Sequence, residues 1–387
     1  MATVRISTRG AKRIRMGHLW VYLSDIRDAD EAAGGTIVRV VDDARNFVGH
    51  AFYSNRSQIA LRFLTQRDEV IDREWWRGRI LACATRRASV TKQTNAYRLI
   101  YSEGDLLPSL IVDVYDGHYV LQTLSQGADR IQDLLLQILI DEFQPKSIVE
   151  LNNAPVRQVE GLESRSGPLY GDDPGEIEVA QHGLRFIVSP RAGQKTGAFL
   201  DQRENYLAAR QVAHGRALDC FTFNGGFALH IAASCNDVQG IDISKDAIAA
   251  AERNARLNEA RNVKFQTGNV FDALREMETS GERFDTIILD PPAFTKSRAT
   301  LKSGARGYKE INLRALKLLN TGGMLISCTC SYHISEQMFL DLIADAALDA
   351  RRRLQIVEKR GQSTDHPVLL GVPETHYLKC VIARVVE

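Results

Sequence analysis

The sequence predicts an α/β protein whose carboxyl-terminal half contains a Rossmann-like domain with a parallel sheet. A short apolar run at residues 217–220 leads into a turn with two adjacent glycines, Gly225 and Gly226, and an apolar helical segment follows. The next apolar run, residues 238–242, ends in the carboxylate of Asp242. A strand, a glycine turn, a helix and a second strand that ends in an acidic residue outline half of a nucleotide-binding fold.

The glycine turn predicts a ligand that contains a ribose. Gly225 and Gly226 let the backbone approach a ligand closely, and the following helix offers free N–H groups. Asp242 would accept hydrogen bonds from the ribose hydroxyls. The turn lacks the G-x-G-x-x-G spacing of dinucleotide sites, because Phe223 and Asn224 stand where that motif requires a different glycine spacing. A dinucleotide site and a turn without any ligand are the alternatives.

Composition sets the broad class. The 387 residues suffice for two or three domains, and 44% apolar and 25% charged residues are ordinary for a soluble protein. Because no apolar run could span a bilayer and residues 1–5 lack a signal-peptide core, we expect a cytoplasmic location. The six cysteines have no C-x-x-C spacing, so neither a disulfide framework nor a metal site is indicated.

Residues 1–72 predict a small β-barrel or sandwich, because short alternating apolar runs at residues 36–41 and 47–53 are separated by turn residues. Residues 1–100 hold 18 Lys and Arg against 10 Asp and Glu, which suggests a surface that faces a polyanion. Trp20, Tyr22 and Tyr53, interleaved with these basic residues, fit a surface that stacks a base. A solvated arginine-rich surface and aromatic packing inside the barrel are the alternatives.

Residues 73–188 predict a separate α+β module. Asp116 and Gly117 join two apolar runs and are typical of a hairpin turn. An amphipathic helix is predicted for residues 128–143, and a strand for residues 147–151.

Residues 189–387 hold the candidate chemistry. The loop at residues 193–205 could close over a cofactor, with Asp201 as a plain helix N-cap in the alternative. Strands are predicted at residues 263–267 and 284–289, the first followed by Asn269 and the second by Asp290. Because strands alternate with helices, the sheet should be parallel, and Asp242, Asn269 and Asp290 should share its carboxyl edge.

The segment Asp290-Pro291-Pro292-Ala293-Phe294 ends its strand, because two prolines prevent the ladder from continuing. A helix is predicted for residues 309–320 with a C-cap at residues 321–323, and a strand for residues 324–331. That strand would carry Cys328 and Cys330 on one face, with Cys330 nearer the ligand edge. If its neighbour carries Asp290, the two strand ends lie about 5 Å apart.

Cys330 and Asp290 together suit methylation of a cytosine at carbon 5. That carbon is a poor nucleophile until a thiolate adds to carbon 6, and a carboxylate can assist protonation at ring nitrogen 3. The alternative is that both cysteines are small apolar strand residues.

The whole chain resembles a family of bacterial large-subunit ribosomal RNA methyltransferases that make 5-methylcytidine. Gly17-His18-Leu19-Trp20-Val21-Tyr22 resembles their amino-terminal RNA-binding PUA barrel, and residues 103–108 resemble their central domain. Asp290-Pro291-Pro292 is similar to the motif of class I S-adenosylmethionine-dependent methyltransferases, and residues 364–367 and 374–379 resemble the tail of the family. The resemblance implies a PUA domain at residues 1–72, a central α+β domain at 73–188, and a methyltransferase domain with a seven-stranded sheet at 189–387.

The resemblance also implies the site. The nucleophile would be Cys330 in Thr329-Cys330-Ser331, with Asp290 as its catalytic partner and S-adenosylmethionine as the cofactor. Asn269 stands where an acidic residue would be expected to contact the adenine amino group, although an amide oxygen can accept the same bond. The residues predicted to bind the cofactor are Phe199, Asp201, Arg203, Asp219, Phe221, Gly225, Asp242, Asn269 and Asp290.

We therefore expect a 23S ribosomal RNA cytosine-5 methyltransferase that swings its target nucleotide out of the stack. The alternatives are an N-methyltransferase that acts on a purine with Asp290 and Phe294, a catalytically silent ribosome-assembly protein, and a small-molecule methyltransferase. The sequence leaves open which nucleotide is modified, whether the substrate is naked RNA or a ribosomal particle, and whether the protein is a homodimer.

Overall fold

The computed structural model describes residues 1–29, 31–190, 198–295 and 297–387. The chain forms two compact units. The first contains Met1–Val179, Val188–Leu200 and Thr364–Thr375, and the second contains Ala180–Ile187, Asp201–Ser363 and His376–Glu387. In the described part of the chain, no helix is long and apolar enough to cross a bilayer. The division into three domains at residues 72 and 188 stays a prediction.

The first unit contains two sheets. One has six strands in the order β2-β6-β5-β4-β1-β3, and the other has five in the order β11-β10-β9-β8-β7. Their strands are β1 (Thr3–Ile6), β2 (Trp20–Tyr22), β3 (Ile26–Asp28), β4 (Ile37–Val41), β5 (Phe47–Tyr53), β6 (Ile59–Thr65), β7 (Ala96–Tyr101), β8 (Leu110–Tyr115), β9 (His118–Thr123), β10 (Ser147–Asn152) and β11 (Arg165–Tyr170). The helices are α1 (Thr8–Arg15), α2 (Arg73–Arg86), α3 (Gln126–Arg130), α4 (Gln132–Phe143) and α5 (Val156–Val159).

The predicted hairpin in this unit is confirmed, because β8 and β9 pair in antiparallel register with left-handed backbone at Asp116 and Gly117, where φ is 49° and 81°. The prediction of one helix over residues 128–143 is wrong. The chain forms α3 and α4, separated at Ile131, whose φ of −100° and ψ of 12° leave the helical range. Ser125 caps α3 by accepting from the Ala128 N–H, so the first helix starts before the amphipathic run.

Charged side chains buried in the first unit meet oppositely charged partners. Arg87 donates to both carboxylate oxygens of Asp105, at 2.7 and 2.5 Å, and also to the carbonyl oxygen of Asp365 at 2.8 Å. Arg62 lies 2.8 Å from a carboxylate oxygen of Glu160, and both side chains are almost fully buried. These pairs join segments that are far apart in the sequence.

The second unit is an α/β layer structure around a seven-stranded sheet in the order β16-β15-β14-β17-β18-β20-β19. The hairpin of β12 (Ile177–Gln181) and β13 (Leu184–Val188) precedes it. Its elements are α6 (Arg203–Val212), β14 (Arg216–Cys220), α7 (Gly226–Ile231), β15 (Asp237–Asp242), α8 (Lys245–Leu257), β16 (Val263–Thr267), α9 (Val270–Ser280), β17 (Phe284–Leu289), α10 (Leu301–Leu318), β18 (Leu319–Thr329), α11 (Glu336–Asp349), β19 (Leu354–Arg360) and β20 (Lys379–Val385).

The predicted fold class is confirmed. The strands β14 to β18 of the seven-stranded sheet pair in parallel with one another, and β20 runs antiparallel between β18 and β19. The buried core of the unit packs on this sheet, with Ile287, Leu325 and Phe339 fully buried. Because β14 to β18 are parallel, their carboxyl ends meet at one edge, and the candidate site lies there.

The helix predicted at residues 309–320 begins earlier than expected, at Leu301, and residues 321–323 lie in β18 rather than in a C-cap. Gly304 and Gly307 both lie inside this helix. In the structure a Cβ at Gly304 would lie 2.9 Å from Thr295, and one at Gly307 would lie 3.0 Å from Phe294. These glycines therefore let α10 pack closely against the loop that follows Asp290.

Candidate active site

The turn after β14 has the backbone that a close ligand approach requires. Gly225 has a φ of +87°, in the left-handed region that favours glycine, and Phe221 and Phe223 are also left-handed, with φ of 64° and 50°. A Cβ at Gly225 would lie 3.1 Å from the ring of Phe265. The prediction of a tight glycine turn at the start of α7 is confirmed.

Two carboxylates hold this turn. Asp219, on β14, accepts from the Thr222 hydroxyl at 2.6 Å and from the Ala228 N–H at 3.0 Å. Asp242, at the end of β15, accepts from the Phe223 N–H at 3.0 Å. Both oxygens of Asp242 are engaged, since the other accepts from an N–H of the following loop. Each oxygen can accept a second hydrogen bond, so Asp242 remains able to bind a ribose.

The second oxygen of Asp219 is buried and has no hydrogen-bond partner among the described residues. Burial is the main cause that raises the pKa of this carboxyl to about 7; the hydrogen bonds from Thr222 and Ala228 oppose it, and the charge of Asp242 adds a smaller increase. A buried carboxylate with an open acceptor fits a ligand that brings a positive charge and N–H donors. The amino-acid part of S-adenosylmethionine has such an ammonium group, so the residues present fit this cofactor.

Asp201 and Arg203 were predicted to contact the cofactor. Asp201 accepts from the Tyr377 hydroxyl at 2.5 Å, and Arg203 is buried, with a guanidinium nitrogen 3.4 Å from the Glu204 carboxylate. The alternative that Asp201 caps a helix is wrong, because α6 begins at Arg203 after Gln202. Phe199 belongs to the first unit, and residues 193–197 of the predicted loop lie outside the described residues.

Asp290 follows β17 and is held by Gln202, which is not among the predicted site residues. The Gln202 amide donates to Asp290 at 2.8 Å, and its own oxygen accepts from the Asn205 amide at 2.6 Å. This chain of amides orients one oxygen of the carboxylate. The one signal in the sequence is that Gln202 lies between the predicted residues Asp201 and Arg203.

The two candidate cysteines differ in their surroundings. The strand β18 pairs with β17 in parallel, as predicted, with Ser327 opposite Leu289, so Asp290 is level with Cys328. Because β18 ends at Thr329, Cys330 lies just beyond the strand. The prediction that the strand's alternating side-chain pattern extends to Cys330 is therefore wrong. Cys328 is fully buried, which raises the pKa of its thiol well above the usual value. Of the six cysteines, Cys330 alone is partly exposed.

The loop after Asp290 is fixed by aromatic packing. Phe294 packs against Phe221 and Tyr308, with ring centroids 6.2 and 4.7 Å away. The Tyr308 hydroxyl lies 2.8 Å from that of Ser331, next to Cys330 in the sequence. The loop therefore contacts Phe221 directly, and it contacts the segment that carries Cys330 through Tyr308.

Asn269 has a structural role besides the one predicted for it. It is the N-cap of α9, and its amide oxygen accepts from the Phe271 N–H at 2.9 Å. The role predicted for it, a bond to the adenine amino group, stays a prediction, as do the roles of the other proposed site residues.

A sheet whose parallel strands end at one edge with a glycine turn, an open buried carboxylate and a partly exposed thiol is typical of a nucleotide-binding α/β enzyme. Comparison with known proteins agrees. Residues 4–66 match the PUA-like domain, and residues 162–371 match the S-adenosylmethionine-dependent methyltransferases.

Two relatives match over nearly their whole length. The ribosomal RNA large subunit methyltransferase I of Tolumonas auensis is 37% identical in an alignment of 396 positions that covers 99% of each protein. Its counterpart in Klebsiella pneumoniae strain 342 is 36% identical over 97% of this chain and 96% of the relative. The chain therefore belongs to the family of these S-adenosylmethionine-dependent methyltransferases, and S-adenosylmethionine is its cofactor.

Solved structures agree on the fold. An inferred S-adenosylmethionine-dependent methyltransferase from Streptococcus mutans superposes with a TM-score of 0.85 at 19% identity, over the whole of both chains. A crystal structure of an inferred methyltransferase in complex with SAH has a TM-score of 0.87, also at 19% identity and over the whole of both chains.

Proposed function

We propose that the protein transfers a methyl group from S-adenosylmethionine to carbon 5 of a cytidine in 23S ribosomal RNA, through a covalent adduct with Cys330. The observation that carries the proposal is the exposure of Cys330 just beyond β18, at the sheet edge that also carries Asp290. The substrate follows from the family, whose relatives are named as large-subunit ribosomal RNA methyltransferases. A cytoplasmic site of action goes with that substrate.

The chain's residues have distinct tasks in this reaction. The Cys330 thiolate uses a sulfur electron pair to bond carbon 6 of the cytosine, which moves the electrons of the ring double bond to carbon 5. Asp290, oriented by Gln202, stabilises the proton at ring nitrogen 3. When bound, S-adenosylmethionine would supply a methyl group on a sulfonium. The electron pair at carbon 5 bonds that methyl carbon, and the electrons of the broken bond between sulfur and methyl stay with the sulfur, which becomes a neutral thioether.

Release of the product regenerates the enzyme. A base removes the proton from carbon 5, and the electrons of that C–H bond restore the ring double bond. The bond between sulfur and carbon 6 breaks as this double bond forms, and its electron pair leaves with Cys330 as the thiolate. One proton is released for each methyl group transferred, and the thiol is not consumed.

The cofactor-binding roles belong to the same proposal. Asp219 would pair with the ammonium of the amino-acid part, because its second oxygen is buried and open. Gly225 would let the backbone approach the cofactor, Asp242 would accept from the ribose, and Asn269 would contact the adenine. The cofactor contacts predicted for Phe199, Asp201, Arg203 and Phe221 are part of the same proposal.

RNA binding is proposed for the amino-terminal region. Residues 4–66 match a PUA-like domain, and residues 1–100 hold 18 basic against 10 acidic residues. Such a surface suits phosphate contacts, which position an RNA without reading its sequence.

The test is methyl transfer to 23S ribosomal RNA that lacks its own methylation, followed by nucleoside analysis. We expect 5-methylcytidine from the wild type and from Cys328→Ala, and none from Cys330→Ala. Asp290→Asn should lower the rate about 100-fold or more, the size of effect typical of a proton-transfer or electrostatic group. A methylated purine, or an active Cys330→Ala, would reject the cytosine mechanism in favour of an N-methyltransferase. RNA binding without methyl transfer by the wild type would indicate a catalytically silent assembly protein.

A further inference from the structure

Lys379 is a buried cation at the start of β20. Its residue is 5% exposed, and its neighbour across the antiparallel pair is Thr329 of β18. The ammonium donates to the carbonyl oxygens of Tyr377 at 3.1 Å and Ser331 at 3.4 Å. Among the described residues, no carboxylate forms an ion pair with it. A buried ammonium without a carboxylate destabilises a fold, so a function is the natural reason to keep it.

The position of Lys379 brings its charge beside Cys330. The Ser331 carbonyl that it contacts directly follows Cys330 in the chain, and Thr329, opposite Lys379, directly precedes it. Burial lowers the pKa of Lys379, while the charges of Cys330 and Glu336 raise it, in that order of size. The cation and the thiol therefore share one electrostatic environment.

Three further titratable groups act on Cys330 or Lys379 or lie at the same sheet edge, and none of them replaces this cation. Tyr308, from α10, is buried, and burial raises the pKa of its hydroxyl, which is therefore neutral at physiological pH. Glu336, from α11, is 2.6 Å from Lys359, and both side chains are well exposed. Asp290 follows the neighbouring strand and adds a negative charge at the same edge. Of these groups, Lys379 alone carries a positive charge and is buried.

We propose that Lys379 is a positioning residue that holds Cys330 as a thiolate and so makes it a nucleophile at neutral pH. A cation beside a thiol favours the anion, and the anion is the reactive form of cysteine. The identity of the group that this thiolate attacks rests on the proposed function, whereas the formation of the thiolate does not. Lys379 acts through Cys330 and needs no contact with the base.

Alkylation of Cys330 by iodoacetamide tests the proposal without RNA or cofactor. The thiolate displaces iodide, and mass spectrometry of the full-length protein's digest reports the rate at Cys330 as the pH varies. Lys379→Met removes the charge and keeps an unbranched apolar chain, whereas Lys379→Arg keeps the charge. Lys359→Met is the matched control, because it removes an exposed lysine that also faces Glu336.

We expect the pH midpoint of alkylation in Lys379→Met to rise by about one unit or more, and its rate at pH 7 to fall about tenfold. Lys379→Arg and Lys359→Met should keep the wild-type midpoint. An unchanged midpoint in Lys379→Met overturns the proposal. So does a failure of Lys379→Met to fold, because removal of an unpaired buried charge should leave the fold at least as stable as the wild type.

The same variants separate this proposal from the proposed function. If Lys379→Met shifts the alkylation midpoint and the wild type makes no 5-methylcytidine, Lys379 activates a thiol that serves another reaction. If the wild type makes 5-methylcytidine and the midpoint does not shift, the cytosine mechanism stands and the role of Lys379 is rejected.

Discussion

In the first unit, Arg87 and Asp105 are both buried and meet through two charge-assisted hydrogen bonds. In the second unit, by contrast, Asp219 and Lys379 are buried without an oppositely charged partner among the described residues. The same physical situation, a charge removed from water, therefore has two outcomes. A paired charge ties distant segments together, and an unpaired one at the carboxyl edge of a sheet is available to a ligand or a neighbouring thiol. Pairing, rather than burial, separates the structural charges from the candidate functional ones.

The largest effect should come from breaking the paired charge. We expect Arg87→Met to lower the free energy of unfolding by about 3–5 kcal/mol, because it leaves Asp105 buried without its main partner. The measurement is urea unfolding of the full-length protein. Arg86→Met is the matched control, since Arg86 lies 2.9 Å from the same carboxylate but its side chain is 49% exposed. Its loss should cost less than about 1 kcal/mol. Equal losses would show that pairing inside the unit does not set the stability.

Replacement of the unpaired Asp219 should stabilise the protein, whereas replacement of the paired Arg87 should destabilise it. Its folded pKa is about 7 against an ordinary 3.8, so between these values the folded state holds a proton that the unfolded state has lost. The stability of the wild type should therefore fall as the pH rises through this window. In Asp219→Asn this pH dependence of stability should be absent. At pH 8 the variant should be about 2 kcal/mol more stable than the wild type. This gain is about half of what a pKa shift of about three units implies, because the amide leaves a hydrogen bond unmade.

Asp285→Asn is the control for the sign of this effect. The hydrogen bond from Asn320 is the main cause that lowers the pKa of Asp285. The stability that the ionised Asp285 contributes should be fully present above the ordinary pKa of 3.8 and be lost as the pH falls through the lowered pKa of the folded state. Asp285→Asn should therefore lose stability at neutral pH, and Asp219→Asn should gain it. Calorimetric melting across this range measures both, and a parallel pH dependence in wild type and Asp219→Asn would contradict the raised pKa.

The smallest effect should come from Asn269, which is satisfied as a cap and also predicted to bind the cofactor. Asn269→Asp keeps an equally good N-cap, so the stability should change by less than about 0.5 kcal/mol. A charged acceptor should tighten S-adenosylmethionine binding about threefold, if the adenine amino group donates to it. Isothermal titration calorimetry measures this. Unchanged affinity in both Asn269→Asp and Asn269→Ala would leave Asn269 as a cap alone.

Local patterns predicted much of this fold. The glycine turn at Gly225, the hairpin at Asp116 and the strands that precede Asp242 and Asp290 all depend on neighbouring residues, and the structure contains them. The first turns of α10 were missed, and they contain Gly304. Its reason for being there, close packing against Thr295, is a tertiary contact.

The same limit applies to the site. Cys330 and Asp290 were selected from their own strands, but Gln202 lies 88 positions from the carboxylate that it orients, and Lys379 lies 48 positions from the Ser331 carbonyl that it contacts. Neither residue is in an unusual local pattern. Only the sheet order brings β20 next to β18, and one sequence carries no signal of that order beyond a family resemblance.

The position of β20 in the sheet also constrains the order of folding. This strand follows β18 and β19 in the chain, yet it lies between them. Until it inserts, both neighbours present unpaired backbone N–H and C=O groups, which is the state in which sheets recruit foreign strands. Lys379 arrives with the same strand, so the cation proposed to activate Cys330 reaches the thiol only when the sheet closes. A partly folded chain would then expose an unactivated cysteine, and its reactivity would appear together with the completed sheet.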